Sequence, residues 1–276
     1  MITFFLITGF ITIAVIRYKR DLQDGYRVVL RSAGPFRSKI VPISPVYRKI
    51  LVDYFPYYNA LTASDKARFE RKLCQIIYSK IFIPRDFDEV TDEMKVLISA
   101  TAVQLTFGLD GVYLSHFRKI LIYPNDYYSS ITKKFHKGEV NPAFGIIVLS
   151  WHSYVMGYLN SNQDGVNLGL HEMAHALRLE NIIRNSEYQF FNEVLLNRLD
   201  EYGMAVCEPA DYEQVKFFRP YACANTHEFF AVAVENFFER PMQLQLAMPG
   251  LYAVLCALLN QDPANYSSAT SKDSAA

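Results

Sequence analysis

The sequence lacks an excess of charge of either sign. Lysine and arginine together number 28 and aspartate and glutamate number 28, so the formal net charge is zero. A phosphate-binding surface normally needs a basic excess or patch, and nothing here favours nucleic acid as a partner. Cysteine is also scarce: Cys74, Cys207, Cys223 and Cys256 lie far apart and form no C-x-x-C pair. They read as separate buried thiols, which suits a reducing compartment. Charged residues make up only 20%, against 51% hydrophobic and 14% aromatic, which excludes a disordered chain. At 276 residues, one large core with appended helices is the economical reading.

One apolar run stands out. Ile2 to Ile16 carries no charge and is followed at once by Arg17, Tyr18, Lys19 and Arg20. As a helix it is about 23 Å long against a hydrocarbon core of roughly 30 Å, a gap that Met1 and snorkelling basic side chains can close. No basic stretch precedes the run and no small-x-small cleavage site follows it, so an uncleaved single-pass anchor is a better reading than a signal peptide. The basic cluster on its C-terminal side places the body of the protein in the cytoplasm by the positive-inside tendency. Residues 1–20 are therefore read as anchor and basic flank. Residues 21–56, interrupted by Pro35, Pro42 and Pro45, are read as a linker. Residues 57–263 form the main domain, and 264–276, small and polar from Ser267, a disordered tail.

Within the main domain, a capping signal at Thr62 to Asp65 precedes Phe69, Leu73, Ile76 and Ile77 at helical spacing. A second helix is expected from Asp92 to Phe107, stopped by Gly108, with Val96, Leu97, Ala100 and Val103 on its apolar side. Residues 119–124 and 145–151 are short, β-branched runs bounded by turn residues and are expected as strands. Trp151 and His152 close the second of these, where they either line a cleft or simply pack. Ser186 to Tyr202 reads as an amphipathic helix ended by Gly203. Another helix is expected with Thr226 as its N-cap and Pro241 as its stop, and one more over Pro249–Leu259. The whole predicts an α+β fold, mostly helical with a small sheet.

The chemistry is concentrated in Gly169 to Leu177, which contains His171-Glu172-x-x-His175. On a helix, histidines at i and i+4 project from one face and can reach one divalent cation. Glu172 is rotated by one residue, beside the cation and not on it, where it can take a proton from water. Asn167 is a fitting N-cap, and Leu168, Leu170, Ala174 and Leu177 give the helix a face to bury. A catalytic zinc usually has three protein ligands and one open position. The histidine that would follow six residues after the second is absent, because position 181 is Asn. That directs attention to the apolar helix after Thr226, on which Glu228 and Glu235 share a face. Glu228, in the first turn, is the better third ligand, and Glu235 is placed to accept a hydrogen bond from a ligating histidine. Asp164, Glu180 and His227 are lesser candidates.

The segments NLGLHEMAHAL, Tyr221-x6-Glu228-Phe229-Phe230-Ala231 and VENFFERP, with FGL, ILIYP, HKGEVN and LSW upstream, run in order from about Tyr54 to Pro263. In these the chain resembles the Mlc titration factor A family of zinc metallopeptidases and, more distantly, the catalytic domain of anthrax lethal factor. The resemblance implies a zincin-like fold, a peptide or protein substrate, zinc held by His171, His175 and Glu228, and Glu172 as general base. It also implies that Tyr221, seven residues before the ligand glutamate, faces the developing oxyanion. The family takes its name from binding a glucose-responsive transcription regulator, which makes such a regulator an expected partner. The amino-terminal run is not part of the family's soluble pattern.

Overall fold

A computed structural model describes residues 42–129, 133–159, 164–183, 189–208 and 217–265. The expected anchor with its basic flank, and the tail from Ser267, lie outside the described residues. Among those residues no helix is long and apolar enough to cross a membrane.

Pro45, expected to interrupt structure, instead starts it. Helix α1 (Pro45–Tyr54) has the proline at its first position, where a missing N–H costs nothing, and Ser44 Oγ accepts from the Val46 N–H at 3.2 Å. The last part of the expected linker is therefore helical, continuing into the single turn α2 (Pro56–Asn59). Helix α3 (Ala63–Ser79) is capped by Thr62, whose hydroxyl accepts from the Asp65 N–H. Strand β1 (Ile81–Pro84) has no counterpart among the expected strands. Helix α4 (Asp92–Thr106), capped by Thr91, is buried on all sides from Val96 to Thr106. It packs against α1 and α3 on one side.

Strand β2 (Lys119–Tyr123) is followed by a hairpin of β3 (Tyr127–Ser129) and β4 (Lys134–His136), then by β5 (Gly138–Asn141) and β6 (Ile146–Ser150). The main sheet runs β1-β2-β6-β5, with β1, β2 and β6 parallel and β5 antiparallel at one edge. The β-branched runs supply the inner strands β2 and β6. Edge strand β5, with its polar Gly-Glu-Val-Asn sequence, carries no such pattern because every one of its residues is only half-buried.

Trp151 and His152 open helix α5 (Trp151–Leu159) and do not close a strand; the Trp151 indole stacks on Tyr154 at 5.3 Å. Helix α6 (Leu168–Ile183) carries the two histidines. Asn167 caps it as expected, its Oδ1 accepting from the Leu170 N–H at 3.0 Å. Asn181, where a third histidine would have stood, uses its Oδ1 to hold the Phe190 and Phe191 N–H groups of the following loop.

Helix α7 (Glu193–Cys207) departs from the expected Ser186–Tyr202. Asn192 caps it, and it runs straight through Gly203. The glycine is there for packing: a Cβ would meet the Phe229 ring at 2.7 Å. A short 3-10 turn (Pro220–Cys223) precedes α8 (Thr226–Glu239), α9 (Pro241–Ala247) and α10 (Pro249–Leu259). The N-cap of α8 is Asn225, one residue before the expected Thr226, and its Oδ1 accepts from the N–H groups of both His227 and Glu228. Pro241 ends α8 and at once begins α9.

The cysteines correct the sequence reading. Cys207 at the end of α7 and Cys223 in the 3-10 turn form a disulfide, with their Cα atoms 5.5 Å apart, while Cys74 and Cys256 are free. With that pair joined, the cysteine pattern no longer argues for a reducing compartment.

Helix α6 packs against α8 more extensively than against any other element, and also touches α4, α5, β5 and β6. Arg178 braces this contact. Its guanidinium binds both carboxylate oxygens of Asp200 on α7, at 2.8 and 2.6 Å, and donates to the Thr226 carbonyl at the start of α8. Phe229, Phe230 and Phe237 of α8 are buried in the same core. The architecture is mostly helical with a small mixed sheet, as an α+β reading requires.

Candidate metal centre

Helices α6 and α8 meet at His171, His175 and Glu228, which could offer one ligand atom each, all within 4.8 Å of one another. His171 Nε2 lies 3.0 Å from His175 Nε2, and Glu228 Oε2 is 3.2 and 3.3 Å from these two nitrogens. Local structure explains the convergence. The i, i+4 spacing sets the imidazoles edge to face on one side of α6, and the Asn225 cap fixes the first turn of α8 so that Glu228 points at them.

These three atoms fit a divalent cation. Glu228 Oε2 is buried and has no hydrogen-bond partner. The tautomer of His171 follows from its other nitrogen: Nδ1 lies 2.6 Å from Glu235 Oε1, a carboxylate oxygen that can only accept. In the neutral ring, the form that binds a metal, the proton therefore sits on Nδ1 and the Nε2 lone pair faces Glu228 and His175. Two nitrogens and one oxygen with lone pairs converging on one point are the donor set that zinc prefers.

Without a cation, burial acts against a charge on His171, yet Glu228 and Glu235 outweigh it and push the imidazole up to about 9, so a metal binding at Nε2 displaces a proton from it. Burial also opposes ionisation of Glu228, but the two histidines hold its carboxyl well below the usual carboxylate range. Glu172 is almost fully buried, and burial pushes it up to about 7 against the opposing pull of His171 and His175.

Glu172 lies outside the ligand triad, as its rotation on the helix requires, and its side chain rests on the backbone of Gly138 in β5. A Cβ at residue 138 would come within 2.4 Å of Glu172 Oε1. Tyr221 belongs to the 3-10 turn; its ring centroid is 6.1 Å from that of His171, and half of the side chain is exposed. Desolvation, then Glu228, raises its phenol to about 12, so the hydroxyl keeps its proton.

The lesser ligand candidates have other duties. Glu180 is buried and accepts from the Ser115 and His116 N–H groups, and Asp164 accepts from the Val166 N–H. His227 does not join the cluster. Sequence reasoning missed Arg219, whose two terminal nitrogens reach the two oxygens of Glu235 at 2.6 and 2.9 Å. A lone arginine before a proline gives no periodic signal; only the buried acid opposite it reveals a role. Gly138 was missed for the same reason, since a glycine shows nothing of what lies against it.

Comparison with known proteins places the chain. Residues 36–259 match the family described as glucose-regulated metallo-peptidase M90. The chain is 28% identical over 233 residues to the uncharacterised protein slr2042 of Synechocystis sp., covering 78% of this chain and 83% of that one. It is 25% identical over 231 residues to Mlc titration factor A of Yersinia pestis and of Yersinia pseudotuberculosis, covering 75% of this chain and 82% of theirs. The match takes in every helix and strand that builds the site, so this protein belongs to the glucose-regulated metallo-peptidase M90 family, as its motifs implied.

Proposed function

We propose that the protein is a zinc-dependent peptidase in which His171, His175 and Glu228 hold the metal and Glu172 is the general base. The observation that carries this reading is the buried Glu228 Oε2, aimed at two imidazole nitrogens with no hydrogen bond of its own. When bound, zinc supplies Lewis acidity to a carbonyl and to a water. Glu172, held beside the triad by Gly138, takes the proton of the attacking water and passes it to the departing amine. Tyr221 donates its phenol proton in a hydrogen bond to the carbonyl oxygen as negative charge grows there, a contact that strengthens in the transition state. The uncharged run of residues 2–16 supports a membrane tether for the same domain.

The deciding experiment measures zinc content and peptide turnover together. Glu172→Gln is expected to keep its zinc and lose cleavage. Unchanged cleavage would remove Glu172 from the mechanism, and wild-type protein that takes up no zinc would remove the whole reading.

A second reading rests on the name titration factor carried by the Yersinia relatives. On that reading the domain is a zinc-stabilised module that sequesters a transcription regulator with little hydrolysis. It predicts that Glu172→Gln leaves regulator binding intact.

A further inference from the structure

We propose that Arg219 is a positioning residue for the metal centre, acting on His171 through Glu235. The proposal rests on the reading of His171, His175 and Glu228 as ligands of a divalent cation.

Glu235 is completely buried on α8, and four donors converge on its carboxylate. Oε1 accepts from His171 Nδ1 at 2.6 Å and from Arg219 Nη2 at 2.6 Å. Oε2 accepts from Arg219 Nη1 at 2.9 Å and from the Asn167 N–H at 2.7 Å. The carboxylate is thus pinned at both oxygens, and its orientation passes directly to the imidazole plane. Arg219 Nη2 also lies 3.1 Å from His171 Nδ1. Both nitrogens carry protons, so neither accepts from the other, and they share Oε1 as their common acceptor.

Arginine suits this place for a physical reason. Its planar fork meets both oxygens of one carboxylate at once, whereas a lysine ammonium is a single point of charge. The fork is itself well anchored. Arg219 stands immediately before the 3-10 turn, whose Cys223 is bonded to Cys207 of α7. Without the guanidinium, Glu235 keeps a buried charge with only the Asn167 N–H and the imidazole to steady it. The ring is then free to swing about its side-chain bonds, and the Nε2 lone pair no longer stays aimed between Glu228 and His175. Loss of such an outer partner typically weakens metal binding about 10- to 100-fold.

The test is zinc affinity of the full chain, by competition with a chromophoric chelator, for wild type, Arg219→Ala, Arg219→Lys, Glu235→Gln and the Arg219→Ala/Glu235→Gln double variant. The melting temperature of each metal-free protein is recorded alongside. Arg219→Ala is expected to bind zinc about 10- to 100-fold more weakly, with Arg219→Lys in between. The double variant is expected to bind no more weakly than Glu235→Gln alone, because both changes break one chain of contacts. Cobalt-substituted wild type and Arg219→Ala should differ in their visible ligand-field bands, which a purely structural role would leave alone. If folded Arg219→Ala holds zinc within twofold of wild type, or if the two losses add in full, Arg219 does not act through Glu235 and the proposal falls, while the peptidase reading stands. Wild type that binds no zinc overturns both.

Discussion

Glu172 rests so closely on Gly138 that a side chain at 138 would push it aside: the nearest approach of an added Cβ is 2.4 Å to Oε1, with the next carbons of the glutamate at 2.6 Å. Every atom in that contact belongs to the movable end of Glu172 and none to backbone. An alanine at 138 is therefore accommodated by displacing the carboxylate, not by distorting the sheet. Gly138→Ala is expected to leave the melting temperature within a few degrees of wild type, to leave zinc content unchanged, and to lower kcat by at least about tenfold, since a misplaced base loses much of the gain from proton transfer. Unchanged turnover in a folded Gly138→Ala protein would mean that the position of Glu172 against β5 does not matter to the chemistry.

Glu239, which is not among the three candidate ligands, contributes to the pH dependence of stability. Burial raises the carboxyl of Glu239 to about 7, with Asn167 Nδ2, which donates to its Oε1 at 2.9 Å, pulling the other way. An unfolded glutamate titrates near 4.3, so between about pH 4.3 and 7 the folded chain binds more protons than the unfolded one, and stability falls as pH rises through that window. Glu239→Gln keeps an oxygen for Asn167 and removes the ionisation. The variant should melt above wild type at pH 8, and the gap should close towards pH 4 to 5. Melting curves that run parallel across this range would exclude Glu239 as the source.

The Cys207–Cys223 bond closes a loop of 16 residues, for which chain-entropy arguments give about 3 kcal/mol of stabilisation. For a chain of this size that corresponds to about 6 to 12 °C in melting temperature. Cys223→Ser, or reduction with a dithiol, should lower the melting temperature by that order. It should also loosen the turn bearing Tyr221 and the Arg219 that precedes it, so that kcat and zinc affinity fall together. Alkylation before and after reduction checks whether the bond forms in cells. Full labelling of both cysteines without reductant would contradict it. The basic residues after Ile16 argue for a cytoplasmic domain and the disulfide argues for an oxidising one, and the same labelling decides between them.

Much of the site was legible because its parts obey short-range rules. His171, Glu172 and His175 declare themselves by spacing, and Asn167 by the cap it makes. Glu228 stood out as an acid without cause on an otherwise apolar helix, and Glu235 as its neighbour on the same face. The inner strands were readable from their β-branched runs. What escaped depends on contacts between distant segments. Gly203 resembles a helix stop until Phe229 is seen against it. Asn225 and Thr226 are both capping residues in sequence, and it is the asparagine whose Oδ1 takes the His227 and Glu228 N–H groups. Pro45 looked like a breaker and is a starter, while Pro241 stops α8 as read and also starts α9. The cysteine pair, 16 positions apart in the sequence, carried no local mark at all.

The separation of α6 from α8 along the chain has a consequence for how the protein comes into being. A ribosome that has just released α6 has produced both imidazoles but neither Glu228 nor the Glu235 that steadies His171. Such an unfinished polypeptide has two thirds of a grip and no brace for it. On the peptidase reading proposed above, with all three ligands needed for zinc, cleaving power arrives only when the last third of the chain has docked, and the growing protein does not attack itself or its neighbours before then.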